Sequence, residues 1–143
     1  MIPAREIKKS ICKQIYEKTN LKVYTENIKK VDFPYCQLFL LPLKSQKWNQ
    51  GKFIDREFSV KVFYSADTNT SREQIAEVLS QLESALSPIV SFADRHITIY
   101  EEDSEVTEDN QGYFAFKMKF TDINDFEIDT SCSTDYMQEL DIF

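Results

Sequence analysis

His96 is the one histidine of the chain and therefore its first candidate for acid–base catalysis. A general base needs a nucleophile and an orienting carboxylate that converge on it. The sequence offers no such set around His96. We therefore do not expect His96 to be catalytic.

Six carboxylates lie close together in the last third of the chain and suggest a calcium site: Glu101, Glu102, Asp103, Glu105, Glu108 and Asp109. An EF-hand loop requires a glycine between its acidic ligands, and this run lacks one at that position. The pattern favours a solvated acidic hairpin tip over a metal site.

Two glycines, Gly51 and Gly112, are too few to form the glycine-rich motifs that bind dinucleotides or nucleotide phosphates. Histidine and cysteine do not occur at the spacing of a zinc site. We expect neither a cofactor nor a metal, and we expect the protein not to be an enzyme.

Three widely spaced cysteines, Cys12, Cys36 and Cys132, do not fit a disulfide framework. No apolar run approaches the roughly 20 residues that a membrane span requires. We therefore expect a protein of the reducing cytosol that has no membrane partner.

Charge is distributed unevenly along the chain. Residues 1–100 carry 15 Lys and Arg against 11 Asp and Glu, whereas residues 101–143 carry 2 against 13. This balance argues against a broad basic face for nucleic acid, although the first hundred residues could still form a local basic patch.

Hydrophobic periodicity predicts the elements that must position these side chains. Isoleucines at four-residue spacing predict a helix from Pro3 to about Thr19, and a second helix begins near Thr70 and ends before Pro88. Alternating or short apolar runs predict strands at residues 21–24, 35–43, 58–64, 95–101 and 113–121. Both glycines follow an Asn-Gln pair, which predicts a hairpin tip with positive φ at each.

The resulting order, α-β-β-β-α-β-β, predicts an α+β fold with a mainly antiparallel sheet of about five strands and two helices packed on one face. Residues 1–121 would form this single domain. Residues 122–143 would form an acidic C-terminal extension.

The opposite sheet face would be uncovered and too apolar to remain in water, which favours burial against another chain. The alternative is that the C-terminal segment folds back over it. Trp48 lies in a polar loop, residues 44–52, and is either an interface residue or packed on its own sheet. The predicted subunit or tube interface comprises Trp48, Asn49, Gln50, Phe53, Phe63, Tyr100 and Tyr113.

Three stretches, in this order and spacing, resemble the tail terminator proteins of tailed phages and phage-derived particles of Gram-positive bacteria. They are the first helix running into residues 23–28, the Pro34-Tyr35-Cys36-Gln37-Leu38 entry to a strand, and the strand of residues 58–64 leading to the second helix. The resemblance covers roughly residues 5–121.

The resemblance implies a non-enzymatic ring, usually a hexamer, that caps the finished tail tube, stops its polymerisation and provides a docking surface for the head or neck. The implied partners are further copies of the chain, the tail tube protein and, beyond these, sheath and neck or collar proteins. The protein would assemble in the cytoplasm of the bacterial host and then lie at the head-proximal end of the tail.

Within such a ring, DNA would be a passing cargo. We expect the carboxylates of residues 101–109 to face the channel, because an acidic wall keeps the duplex mobile. We expect the scattered apolar residues of the extension to dock onto a neighbouring protein: Phe126, Tyr136, Leu140 and Phe143. The competing interpretations are an acidic inhibitor that mimics nucleic acid and a small cytosolic enzyme.

Overall fold

The computed structural model of this 143-residue chain describes residues 2–25, 33–67, 69–108 and 110–123. Two helices and seven strands follow one another along it. They are α1 (Ala4–Thr19), β1 (Val23–Tyr24), β2 (Tyr35–Trp48), β3 (Phe53–Ser65), α2 (Arg72–Leu86), β4 (Ile89–Phe92), β5 (Arg95–Thr98), β6 (Tyr100–Glu108) and β7 (Gln111–Ile123). Within the described ranges, neither helix is long and apolar enough to cross a membrane.

Five strands form one sheet in the order β1-β2-β3-β7-β6, antiparallel except for the short parallel pair of β1 and β2. The two helices and this sheet confirm the predicted order α-β-β-β-α-β-β. The predicted single strand at residues 95–101 is divided at Ile99. Its first part, β5, pairs with β4 in a separate two-stranded sheet, which the sequence analysis missed.

The core lies between the helices and one face of the sheet, which we call the inner face. Ile7, Ile11 and Ile15 are fully buried, as their four-residue spacing predicts. The inner face contributes alternate residues of three central strands: Cys36, Leu38, Leu40, Phe58, Val60, Val62, Phe114, Phe116 and Met118. Burial of this apolar surface is the main term that stabilises the domain.

Both helices end or begin with capping residues that satisfy free backbone groups. Asn20 ends α1 in the left-handed conformation, as predicted, with φ 60°. The sequence predicts that Thr70 and Glu73 form a capping box at the start of α2. The observed box lies one residue later and consists of Ser71 and Gln74. Ser71 Oγ accepts from the Gln74 N–H at 3.2 Å, and the Ser71 N–H donates to Gln74 Oε1 at 3.0 Å.

The hairpin of β2 and β3 is longer than the sequence suggests. The predicted loop of residues 44–52 is wrong over its first half, because β2 continues to Trp48 and pairs with β3 along its length. Polar residues occupy both faces there, so the strand lacks the apolar alternation that would have identified it. The turn at Asn49-Gln50-Gly51 has positive φ at all three residues and is confirmed.

Gly112 does not lie at a hairpin tip, and the prediction of a positive φ there is wrong. It lies inside β7, where α2 approaches the sheet. A Cβ at this position would come within 2.9 Å of Leu79 Cδ1, 3.0 Å of the Glu105 carbonyl oxygen and 3.1 Å of Ile75 Cγ2. Glycine is required because the helix packs directly on the backbone.

An ion pair between Arg56 of β3 and Asp122 of β7 connects these two strands to Ile2, just before α1. Arg56 Nη1 donates to Asp122 Oδ2 at 2.9 Å and to the Ile2 carbonyl at 2.6 Å. Burial raises the pKa of Asp122, but hydrogen bonds from the N–H groups of Ile2 and Ile123 and from Arg56 outweigh it and lower the pKa below its usual value of 3.8. The carboxylate is therefore held in its charged form.

Substituting Gly112→Ala should destabilise the fold by about 1–3 kcal/mol, because overpacking forces helix and sheet apart. Urea denaturation measures this as a lower transition midpoint. Gln111→Ala, at the exposed neighbouring position, is the control and should change stability by less than about 0.5 kcal/mol. Equal midpoints for the two variants would contradict the close packing.

Substituting Asp122→Asn should lower the free energy of unfolding at neutral pH by about 2 kcal/mol, the order of a hydrogen bond to a charged group. Because the folded-state pKa of Asp122 is below 3.8, its contribution is present above that pH and is lost as the pH falls through the folded-state value. The wild-type and variant stabilities should therefore converge in acid. Denaturant titrations at about pH 7 and pH 3 test this, and a constant difference would refute it.

Candidate functional site

The face of the sheet that points away from the helices, which we call the outer face, carries the residues of interest. Cross-strand register places Phe63 of β3 between Gln37 of β2 and Tyr113 of β7. The next row contains Phe39, Lys61 and Ala115, and Asp103 and Glu105 of β6 continue these rows.

Four apolar or aromatic side chains form a strip on the outer face: Phe39, Leu41, Phe63 and Tyr113. The rings of Phe39 and Phe63 meet edge to face at 5.6 Å, and those of Phe63 and Tyr113 lie 6.1 Å apart. Leu41 is 59% exposed and Phe39 is 40% exposed. Two of the predicted interface residues, Phe63 and Tyr113, are thus brought together in this apolar strip.

Phe39 and Leu41 were missed by the sequence analysis. Residues 35–43 are apolar at almost every position, which predicts a strand buried on both faces. In the structure, burial alternates along β2. Cys36, Leu38 and Leu40 are buried, while Phe39 and Leu41 are exposed. Gln37 points to the same face as Phe39 and Leu41. This polar residue was the signal in the sequence that the face is exposed.

Charged groups border the apolar strip and hold its rings. Lys61 Nζ lies 4.3 Å from the centre of the Tyr113 ring. The Tyr113 hydroxyl is 3.2 Å from Asp103 Oδ2 and 3.3 Å from Glu105 Oε2, so it can donate to either carboxylate. These contacts orient the ring, which remains partly exposed.

Tyr100, another predicted interface residue, lies on the outer face at the start of β6, opposite Lys117 of β7. Its hydroxyl donates to Glu57, and Lys119 Nζ lies 5.7 Å from its ring centre. Partial desolvation, followed by this hydrogen bond and the charges of Glu57 and Glu101, raises the pKa of Tyr100 to about 12. The phenol therefore remains neutral and acts as a donor at physiological pH.

Trp48 lies at the end of the β2–β3 hairpin. Its ring stacks on Phe53 at 4.6 Å, and its Nε1 donates to Asp55 Oδ1 at 3.0 Å. Hydrogen bonds from Thr121 and then Trp48 lower the pKa of Asp55. The indole is nevertheless 45% exposed. Trp48 thus packs on its own hairpin and remains partly exposed, while Asn49 and Gln50 are exposed in the turn beside it.

The acidic residues do not form a hairpin loop. Residues 102–108 belong to the edge strand β6, a correction to the predicted loop of residues 102–111. Glu101 pairs with Lys117 at 3.3 Å, and Glu102 accepts from Ser87 Oγ at 3.0 Å. Glu108 ends β6. Val106 packs against the core, but carboxylates occupy five of the nine positions of β6, so the strand lacks the apolar alternation that would identify it.

Several predicted residues lie outside the part of the chain that the structure describes. They are Asp109 of the acidic set and Phe126, Tyr136, Leu140 and Phe143 of the docking set. Their assigned roles stay predictions.

The described thiols are not reactive groups. Cys36 is buried in the core, and Cys12 borders it. Desolvation raises the pKa of Cys12 to about 11 and that of Cys36 to about 12. Both cysteines are free, and both remain protonated at neutral pH.

His96 contacts a possible nucleophile, Ser91, across the β4–β5 hairpin. The Ser91 Oγ and His96 Nδ1 atoms are 2.8 Å apart, and both side chains are exposed. The contact follows from the register that sets these two residues opposite each other. Among the described contacts of His96, we find no orienting carboxylate, and no described group of three His, Cys, Asp or Glu side chains could hold a metal ion.

A family model described as "Phage tail terminator protein" matches residues 6–130 of the chain. The chain is also similar to a solved structure at 14% sequence identity, over 84% of this chain and 92% of that one, with a TM-score of 0.49. No curated protein matches the sequence.

Substituting Trp48→Ala should lower the stability of the fold by less than about 1 kcal/mol, the scale of an exposed cross-strand pair. It should weaken assembly by an amount on the order of 2 kcal/mol, which is typical of a buried interface aromatic. Thermal melting and sedimentation velocity measure the two effects. Tyr16→Ala, which removes an exposed aromatic from α1, is the control for assembly. A loss of several kcal/mol of fold stability would mean that Trp48 is a core residue.

Proposed function

Because this chain belongs to the phage tail terminator family, we propose that it forms a ring, a hexamer, that caps the finished tail tube. Membership of the family makes the protein a structural component of a phage tail, present in a virion or tail particle and in contact with other tail components. The ring, the cap and the identity of each partner are the parts that we propose.

The observation that carries this proposal is the exposed apolar strip on the outer face. Phe39 and Leu41 remain in solvent although the sheet beneath them is well packed. Exposed apolar patches of this kind mark surfaces that bind other proteins. We propose that the apolar strip, with Trp48 and Phe53 at the hairpin end, contacts a neighbouring subunit or the tail tube.

We expect a ring if each subunit contacts its two neighbours through two different surfaces. A contact between unlike surfaces repeats from copy to copy, and it closes into a cycle when the rotation allows. A closed ring presents a finished surface at the tube end, so it would stop polymerisation. Its other side would dock the neck, the collar or the head.

Assembly would take place in the cytoplasm of the bacterial host, with the ring at the head-proximal end of the tail. The expected partners are the tail tube protein, with sheath and neck or collar proteins nearby. DNA would pass through the ring as cargo.

The competing interpretation is an acidic inhibitor that mimics nucleic acid. Such a mimic needs carboxylates spread over a folded face without compensating cations. On the outer face, Lys61, Lys117 and Lys119 alternate with the acids, and Lys117 is paired with Glu101. This mixture favours a protein interface over a phosphate-like surface. We find no geometry that favours the third interpretation, a small cytosolic enzyme.

The assignment of residues 101–109 to the DNA channel stays a prediction. It assumes a protruding acidic loop, whereas the described carboxylates belong to an edge strand. That position supports a second role for the same side chains.

Multi-angle light scattering should give a mass of about six copies of the 16.8 kDa chain, for the free protein or for protein bound to tube ends.

Leu41→Lys should keep the fold but lose the ability to cap tubes, because a charge replaces an apolar contact in the apolar strip. Tube lengths, measured by electron microscopy after polymerisation with each protein, report capping.

The matched control is Ile89→Lys, which places the same charge at a 43% exposed apolar position of β4. It should cap tubes as the wild type does. A protein that is monomeric both in solution and on tube ends would disprove the ring. Normal capping by Leu41→Lys would disprove the role of the apolar strip.

A further inference from the structure

Within the part of the chain that the structure describes, no strand lies outside β1 or β6 in the five-stranded sheet. On one side, β1 covers only Cys36 and Gln37 of β2, and no described strand pairs with β2 beyond them on that side. On the other side, β6 is the last strand. Open strand edges carry backbone donors and acceptors that can pair with another chain.

The direction of the backbone groups can be determined at both edges. The Cys36 N–H donates to the Lys22 carbonyl at 2.8 Å, so Leu38 and Leu40 also direct their backbone groups away from β3. The Val106 carbonyl accepts from Arg72 of α2 at 3.3 Å, away from β7. Ser104, two residues earlier on β6, is directed the same way. Each edge thus directs a short run of backbone groups outward, and on β6 the Val106 carbonyl among them is already bonded to Arg72.

The two edges carry opposite charges. β6 contains five carboxylates and no Lys or Arg: Glu101, Glu102, Asp103, Glu105 and Glu108. β2 contains Lys44 and Lys47 and no Asp or Glu. Two copies that met through β6 and β6, or through β2 and β2, would place like charges side by side, which is destabilising. Contact between β6 and β2 brings unlike charges together.

We propose that β6 of one copy lies beside β2 of the next copy and that this charge-matched junction links the subunits of the ring. The inference rests on the proposed ring and adds the surface that forms it. In the sheet, β2 and β6 run in opposite directions. Copies in the same orientation therefore bring them together antiparallel, with facing side chains about 5 Å apart. The junction is head to tail, so it leaves no free edge in a closed ring.

Features of both edges limit how far the backbone can pair. Pro42 has no N–H to donate, and the register of β2 shifts between Pro42 and Lys44. The register of β6 shifts between Tyr100 and Asp103, where Glu101 has φ 50°. A short backbone junction makes the charges decisive for which edges meet. It also opposes uncontrolled stacking of sheets.

The test uses two charge-reversed proteins, each measured alone and then mixed. Glu102→Lys, Asp103→Lys and Glu105→Lys together leave β6 with three lysines against two glutamates, so both edges are basic. Lys44→Glu with Lys47→Glu makes both edges acidic. Each should fold, as judged by circular dichroism and thermal melting, and each should fail to form the ring by light scattering. An equimolar mixture should restore a ring of alternating copies, because every junction again joins unlike charges.

The control is Glu73→Lys with Glu77→Lys and Glu83→Lys, which makes the same change of charge as the β6 variant on the exposed side of α2 and should leave the ring intact. A protein that carries both edge reversals should also form the ring. Rings formed by either edge variant alone, or a mixture that yields only dimers, would overturn the junction while leaving the ring in place. A wild-type protein that forms no ring in solution or on tubes would instead overturn the proposed function.

Discussion

Two helices of 16 and 15 residues can cover only one face of a five-stranded sheet, and this one-sided cover governs the rest of the molecule. The inner face becomes the core, and the contact is so close that Gly112 leaves no room for a methyl group. No described helix packs on the outer face, so its apolar residues are left without a cover among the described elements. The apolar strip therefore follows from the architecture, since a sheet with apolar residues on both faces needs a second cover.

Contacts within the single chain hold the aromatic side chains of the outer face in fixed positions. Tyr113 lies between Lys61 and two carboxylates, and Tyr100 is fixed by Glu57. Trp48 is stacked on Phe53 and bonded to Asp55. Aromatic side chains that are already fixed lose little conformational freedom on binding, so more of the contact energy contributes to affinity.

The sequence contains most of the fold but only part of the surface. Four-residue spacing of Ile7, Ile11 and Ile15 identifies a helix because it reports burial on one side. Phe39 and Leu41 were not identified as exposed, because a strand that is apolar on both faces looks the same whether or not the second face is covered. The edge strand β6 was taken for a loop because charge masks the alternation. The role of Gly112 required knowledge of which helix crosses the strand, which is tertiary information.

Burial of the two described thiols has a consequence for the lifetime of the particle. A tail particle that is released from its host meets oxygen and oxidised thiols. The thiolate is the species that reacts, and desolvation, which raises the pKa of Cys12 to about 11, keeps this thiol protonated at neutral pH. Cys36, whose pKa is about 12, is ionised still less often. The core that holds the helices to the sheet thus also shields its sulfur atoms from oxidation after release.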